Sequence, residues 1–408
     1  MRPEPLPKRW LSIVGLGLDA PDALSPAARA AIETAELVAG STRQLELVRS
    51  LVRGERLVWP SPLSDGVAKV LARRGHSTCV LGSGDPFLFG IGALLAPSLD
   101  RGEFVCHPQP SSLSLAAARL GWPLQDTELV SLHGRDLGEV IRYLSPARRL
   151  LALSWNGKTP GELGRLLTAR GFGRSRLHVL ESLGGATERV RAALASEFAF
   201  EDVADLNLVG VEPVADATAL VLPCRASLPD SAFEHDGQLT KQDLRAICLS
   251  ALGPRPAALL WDVGAGAGSI GIEWTLSHPA CRAITIERDP VRCARIRRNA
   301  AALGVPGLQV VEGDAPAALR DLAAPDAVFI GGGARDQGLV ERCYDALSAG
   351  GRLVVNAVAL ETQASLIRWY ERLGGELCRF SFETAAPLGS LHAFRSALPV
   401  TQWRLTKR

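Results

Sequence analysis

The chain has 408 residues, enough for two or three domains at about 150 residues each. Apolar types make up 47% and charged types 22%, close to the globular norm, which excludes a disordered, collagen-like or coiled-coil chain. The 45 cationic and 43 acidic residues leave a net charge of +2, too balanced for the basic footprint of a nucleic-acid binder, and no run of 18 apolar residues supplies a membrane span.

Only five of the 45 cationic residues are lysine. A genome rich in G and C accounts for such a bias; the functional alternative is that guanidinium forks hold carboxylates bidentately, as a polyanionic substrate would reward. Cys79, Cys106, Cys224, Cys248, Cys281, Cys293, Cys343 and Cys378 form no C-x-x-C pair. Neither a metal site nor a disulfide framework is expected, and the cysteines read as reduced, mostly buried thiols.

Trp10 to Leu18 follows Arg2, Lys8 and Arg9, but Pro3, Pro5 and Pro7 interrupt the basic stretch and no small-residue cleavage site follows. The run reads as a first β-strand in a cytoplasmic protein. Val14-Gly15-Leu16-Gly17 leads through Asp19-Ala20-Pro21 to a helix with Ser25 as N-cap and Pro26 at its first position. Further on, Val80 to Ser83 reads as a strand entering the turn Gly84-Asp85-Pro86-Phe87-Leu88-Phe89-Gly90. That turn exposes Asp85 beside a proline bond able to go cis and an aromatic pair, a composition suited to a cofactor cradle. His133, in Val130-Ser131-Leu132-His133-Gly134-Arg135, has a side chain suited to proton transfer near neutrality, with a structural role as the alternative.

Residues 223–238 are polar, contain two prolines and lack apolar periodicity, which marks a linker. Both flanking halves alternate short apolar runs with helical patterns and so read as α/β, and their glycine turns differ enough to exclude an internal repeat.

Beyond the linker, Leu259 to Val263 reads as a strand running into Gly264-Ala265-Gly266-Ala267-Gly268 and a helix. Glycines let a ligand approach the backbone, and the helix N-terminus offers free N–H groups, so a nucleotide-like ligand fits. Gly266 to Gly271 also satisfies the dinucleotide fingerprint, so the glycines alone leave a nicotinamide cofactor open. A strand from Ala283 to Ile286 ends at Glu287, 21 residues after Gly266, where an acid accepts both ribose hydroxyls of either cofactor. A strand from Leu308 to Val311 leads to Gly313-Asp314-Ala315, suited to an adenine edge, and one from Ala327 to Ile330 leads to Gly331-Gly332-Gly333.

The combination of Asp262, Gly264, Gly266, Glu287 and Gly313-Asp314-Ala315 resembles Rossmann-like S-adenosylmethionine-dependent methyltransferases; nicotinamide enzymes seldom carry the last element. Leu239 to Arg245, Trp261 to Gly271, Ile286 to Asp289, Val311 to Pro316, Phe329 to Gly332 and Gly351 to Val358 closely resemble the precorrin decarboxylating methyltransferase family of cobalamin synthesis. That resemblance implies that Thr240, Gly264, Ala265, Gly266, Ala267, Gly268, Glu287, Asp314 and Ala315 contact S-adenosylmethionine. Pro387-Leu388-Gly389-Ser390 departs from the family, which more often has a second glycine and an aromatic there.

In the N-terminal half, Val80 to Gly92 resembles the tetrapyrrole methylase family, and Val130 to Arg135 narrows the resemblance to the cobalamin branch acting on a late precorrin. It implies that Gly84, Asp85, Leu88, Ser111 and Ser112 contact a second S-adenosylmethionine. Two turns depart from the family: Gly17-Leu18-Asp19-Ala20-Pro21 replaces G-P-G-D-P, and Pro108-Gln109-Pro110-Ser111-Ser112 has glutamine for glycine.

These resemblances imply an α/β chain: a tetrapyrrole methylase domain of two αβα lobes over residues 1–225, and a Rossmann-like S-adenosylmethionine-dependent methyltransferase domain over 232–408. They imply methylation of a precorrin at two meso carbons, C5 and C15, and loss of carbon dioxide from the acetate at C12. One cofactor per domain, a small-molecule tetrapyrrole partner, no nucleic acid, no membrane, and a homo-oligomer up to a tetramer through the C-terminal domain are expected. Rival readings are a nicotinamide oxidoreductase, an RNA methyltransferase and, for the N-terminal half, a tetrapyrrole carrier.

Overall fold

Short apolar runs alternating with Ala/Leu/Arg helices build three main sheets in the computed structural model, which describes residues 9–146, 148–223 and 227–407. Two units separate: residues up to 135 with 145–220, and 136–144 with residues from 221 on. The basic segment at residues 2–8, Cys224 and the domain break expected after residue 225 lie outside the described residues.

The first unit opens with a parallel sheet of β1 (Leu11–Leu16), β2 (Leu37–Gly40), β3 (Glu55–Val58), β4 (Thr78–Ser83) and β5 (Phe104–His107), in the order β3-β2-β4-β1-β5. β1 and β4 are buried on both faces, which is why they read as nearly continuous apolar runs. The helix Pro26–Glu33 begins as its sequence predicts: Ser25 Oγ accepts from Ala28 N, and Pro26 occupies the first turn, where its missing N–H costs nothing. A second sheet follows, of β6 (Thr127–Ser131), β7 (Arg149–Leu153), β8 (Arg176–Glu181), β9 (Arg189–Leu194) and β10 (Asn207–Glu212), ordered β6-β7-β10-β8-β9. Only β6 and β7 run parallel there; β10 and β9 pair antiparallel to their neighbours.

The second unit holds β11 (Leu259–Val263), β12 (Arg282–Glu287), β13 (Gln309–Glu312), β14 (Ala327–Ile330), β15 (Arg352–Ala357), β16 (Glu376–Phe380) and β19 (Val400–Thr406), ordered β13-β12-β11-β14-β15-β19-β16. β11 to β15 are parallel and β19 is antiparallel to both neighbours. Strand order reverses between β11 and β14, the switch point where open α/β sheets bind ligands at their carboxyl ends. A separate hairpin, β17 (Glu383–Leu388) and β18 (Leu391–Ser396), carries Leu388, Leu391 and Phe394 at least 62% exposed.

The polar stretch after Pro223 is not a free linker from Ser227 on. Leu228 and Phe233 are buried against Ile272, Ala300 and Leu303. Arg245, on the helix Gln242–Leu252, is wholly buried and donates to the Leu228 and Thr240 carbonyls, to Asp230 Oδ1 (3.2 Å) and to Glu273 Oε1 (2.6 Å). Two apolar anchors and one guanidinium hub thus tie down a segment whose composition suggested freedom. Among the described residues seven cysteines are free thiols, five of them buried, and no helix is long and apolar enough to cross a membrane. Cis peptide bonds precede Pro21, Pro62 and Pro316; the turn at Pro86, where one was thought possible, has none.

Candidate cofactor sites

In the second unit the carboxyl ends of β11, β12, β14 and β15 open into a cavity of about 760 Å³. Thr240, Gly264, Ala265, Gly266, Glu287, Asp314 and Ala315 all line it. Gly266 has φ +60°, and a Cβ there would sit 2.7 Å from Gln238 O, so a side chain would fill the space between the glycine turn and the 237–241 segment. Ala267 and Gly268 stand apart from the cavity wall. Ala267 O accepts from Asn299 Nδ2 (3.0 Å), and a Cβ on Gly268 would strike Ile296, so these two set the packing of the turn rather than its open face.

Glu287, 5% exposed, is fixed by backbone donors: Gly266 N to Oε2 (2.9 Å), and Arg288 N (3.0 Å) and Asp289 N (3.1 Å) to Oε1. Its carboxylate therefore ties the end of β12 to the glycine turn, with lone pairs left for a diol. Gly313 N donates to Glu287 O, which brings Asp314 and Ala315 to the same cavity.

The motif that carries the resemblance includes Asp262, but the sequence assigns that acid no role of its own. This side chain, 1% exposed, takes one N–H, from Gly271 to Oδ2 (2.9 Å), while its Oδ1 is buried with no partner. Burial pushes its carboxyl up to about 7; the Gly271 bond opposes that shift and the Glu287 charge adds to it. A buried acceptor beside a second acid, both lining one cavity, favours a ligand with cationic character there. A glycine cradle, a carboxylate with lone pairs to spare and a second, unpartnered acid are the donor set that ribose, sulfonium and ammonium groups call for, so the residues fit S-adenosylmethionine.

In the first unit, β1, β4 and β5 deliver the other candidate residues to one edge. Gly84 has φ +57°; its N donates to Leu16 O (2.9 Å), its O accepts from Gln109 N (3.1 Å), and a Cβ would lie 2.7 Å from Ser111 Cα. Asp85 Oδ1 accepts from Phe87 N (2.8 Å) and Asp85 O from Leu88 N (3.1 Å), a turn that projects the peptide outward. Ser111 caps the helix Ser112–Leu120 through Ser114 N (3.0 Å), and Ser112 is its first residue. Leu88 packs among the side chains of that helix, with Leu113 and Ala116. The two atypical turns meet: Gln109 Nε2 donates to Ala23 O (3.0 Å), so the glutamine that replaces glycine bridges the 17–23 turn to the cradle. His133 is exposed, its ring 6.3 Å from that of Trp155.

Comparison with known proteins follows this division. Residues 11–199 match the tetrapyrrole (corrin/porphyrin) methylases and residues 231–407 the precorrin methyltransferase domain. A precorrin-6Y C(5,15)-methyltransferase [decarboxylating] from Sinorhizobium sp is 50% identical over 398 residues, 98% of this chain and 96% of that protein. Its counterpart from Mycobacterium tuberculosis is 43% identical over 97% of this chain and 99% of its own length. Among solved structures, the C-terminal domain of precorrin-6Y C5,15-methyltransferase from Rhodobacter capsulatus is 43% identical, covers 46% of this chain and 100% of its own, and superposes with a TM-score of 0.44.

Proposed function

Because the chain belongs to the precorrin-6Y C5,15-methyltransferase (decarboxylating) family, we propose that it methylates precorrin-6Y at C5 and C15 and removes carbon dioxide from an acetate side chain, with one S-adenosylmethionine site in each unit. The observation that carries this reading is the second-unit cavity, where Glu287 is fixed on Gly266 N beside the unpartnered Asp262 Oδ1.

S-Adenosylmethionine supplies an electrophilic methyl group. Meso carbons flanked by pyrrole nitrogens are enamine-like nucleophiles, so this chain needs no side-chain nucleophile; its task is orientation, able to supply roughly 7 to 11 kcal/mol. In the second unit, Glu287 takes the ribose hydroxyls, Asp314 and Ala315 face the adenine, and the glycine turn lets the cofactor tail lie against backbone. Asp262 would offer its unpartnered oxygen to positive charge, and Leu239 and Thr240, which line the same cavity, would help to close it to water. In the first unit Gly84, Asp85, Leu88, Ser111 and Ser112 hold the second cofactor. Loss of carbon dioxide leaves electrons that the conjugated tetrapyrrole accepts, so the protein has only to desolvate the acetate and steer protons. The hairpin residues Leu388, Leu391 and Phe394 support self-association through the second unit; light scattering of Phe394→Asp should show a smaller mass than the wild-type chain.

Mass spectrometry of precorrin-6Y incubated with the protein and S-adenosylmethionine tests the function. A product heavier by two methyl groups and lighter by one carbon dioxide is expected; unchanged precorrin, or tight binding without turnover, overturns it in favour of a carrier.

A further inference from the structure

β15 ends at the second-unit cavity with Asn356, which faces Gln402 across the antiparallel pair with β19. Asn356 shares its sheet face with Val354, and through the register with Phe329 and Asp262, so its side chain belongs to the same floor as the unpartnered acid. Gln402 Nε2 donates to Asn356 Oδ1 (3.0 Å) and to Cys248 Sγ (3.4 Å), and Asn356 Nδ2 donates to Cys248 Sγ (3.2 Å). Gln402 and Cys248 are both wholly buried, and burial pushes the Cys248 thiol up to about 12, so the cluster is neutral and serves no charge.

Packing alone does not call for these amides. Gln402 Oε1 is buried with no partner, a destabilising arrangement that a leucine in its place would avoid. What the cluster does accomplish is to lock one orientation of the Asn356 carboxamide. Its Oδ1 is committed to Gln402 and one Nδ2 hydrogen to Cys248, which leaves a second Nδ2 hydrogen at the cavity. The amide therefore presents a donor, and its ligand must present an acceptor. Val358, Leu398 and Val400 line the same cavity and offer apolar surface to a pyrrole face.

Two carboxylates could reach this donor, one on the cofactor's methionine tail and one on the rim of the tetrapyrrole. The proposed cofactor contacts at Glu287 and Asp314 lie on the β12 and β13 side of β11, whereas Asn356 lies two strands away on the opposite side. We infer that Asn356 hydrogen-bonds a rim carboxylate of the tetrapyrrole and that Gln402 is its positioning residue, an inference that rests on the precorrin reading of this cavity.

The test uses the full chain, with carbon dioxide release measured against precorrin concentration, absorbance titration of the precorrin in the presence of S-adenosylhomocysteine, and calorimetry of S-adenosylhomocysteine alone. Asn356→Ala should raise KM and the precorrin Kd roughly tenfold, leave kcat within about threefold, and leave S-adenosylhomocysteine affinity unchanged. Gln402→Leu should do the same, and the double variant should be no worse than either single one, because both changes remove the same contact. Additive effects, or a Gln402→Leu variant that only lowers Tm, would reduce Gln402 to a packing role and overturn its part. Unchanged precorrin affinity in Asn356→Ala overturns the whole inference, as does weakened S-adenosylhomocysteine binding with precorrin affinity intact, which would assign the donor to the cofactor. A wild-type chain that neither binds S-adenosylhomocysteine nor releases carbon dioxide would instead sink the functional reading beneath it.

Discussion

Glu287 and Asp262 lie at the ends of neighbouring strands, yet their surroundings drive them to opposite uses. Three backbone N–H groups hold the Glu287 side chain in one orientation. Its removal loses charge-assisted bonds worth on the order of 1.5 to 3 kcal/mol. Glu287→Ala is expected to weaken S-adenosylhomocysteine at the second-unit site about tenfold to a hundredfold and to leave the other site alone, as read by calorimetry. Asp262 has one donor, and its carboxyl is pushed up to about 7 by burial. Since that lies above the ordinary carboxylate range, the folded chain holds a proton that the unfolded chain releases, and stability falls as pH rises from about 4 to 7. Asp262→Asn cannot ionise. It should therefore stabilise the chain more at pH 8 than at pH 5, by at most about 3 kcal/mol, read as a larger rise in Tm, and equal shifts at both pH values would show that Asp262 carries no such proton.

At the scale of elements, the cavity depends on a segment whose one regular piece is the short 3-10 turn Asp230–Ala232. Residues 228–241 are held by Arg245 from one side and by Asn299 from the other, where Asn299 Oδ1 accepts from Glu234 N (2.9 Å) and its Nδ2 donates to Glu234 O (2.9 Å) and Ala267 O (3.0 Å). Asn299 thus couples this segment to the glycine turn. Asp236 adds ion pairs with Arg295 (2.9 Å) and Arg292 (3.0 Å), and those guanidiniums, with the Gln238 N–H, hold its carboxyl well below the usual range. Removing Arg245 would strand Glu273 as a buried charge, a loss of about 3 to 5 kcal/mol. Arg245→Ala should lower the urea midpoint accordingly, and Glu273→Gln in the same chain should restore part of it. No restoration would mean that the carbonyls of Leu228 and Thr240, rather than Glu273, are the contacts that matter.

For the whole molecule, the two units carry unrelated sheets, and each brings its own glycine turn to the carboxyl ends of its strands. With one cofactor site proposed in each unit, the expected division of labour has the first unit methylating one meso carbon and the second performing the other methylation together with decarboxylation. Asp85→Ala should still release carbon dioxide and add one methyl. Gly266→Arg, which places a side chain where Gln238 O leaves room only for backbone, should add at most one methyl and release none. With both variants folded by circular dichroism, the opposite pattern would reverse the assignment. The forty arginines, weighed above as a sign of a polyanionic substrate, in many cases hold the chain's own acids: Arg189 and Arg191 share Glu181 and Asp202, and Arg298 and Arg295 share Glu234.

The strands β11, β12 and β14, the glycine turn between Val263 and Ser269, and the Ser25 cap were legible in the sequence because each is set by neighbours in the chain: a run of apolar residues, a glycine spacing, a hydroxyl before a proline. Glu287 was legible for the same reason, since a strand of known length carries it a fixed distance from the turn. The burial of Asp262, already part of the motif, and the roles of Asn356 and Gln402 were not. Nothing local to Trp261-Asp262-Val263 says that the acid will lose its water, and nothing around Thr401-Gln402-Trp403 says that its amide will meet one on β15. The polar stretch at 227–241 misled in the same way, because distant partners, Arg245 on the next helix, Asn299 and the core around Leu228 and Phe233, turn it from linker to wall. Periodicity and spacing act through bonds along the chain, whereas desolvation and the pairing of distant polar groups arise only when the tertiary fold excludes water from them.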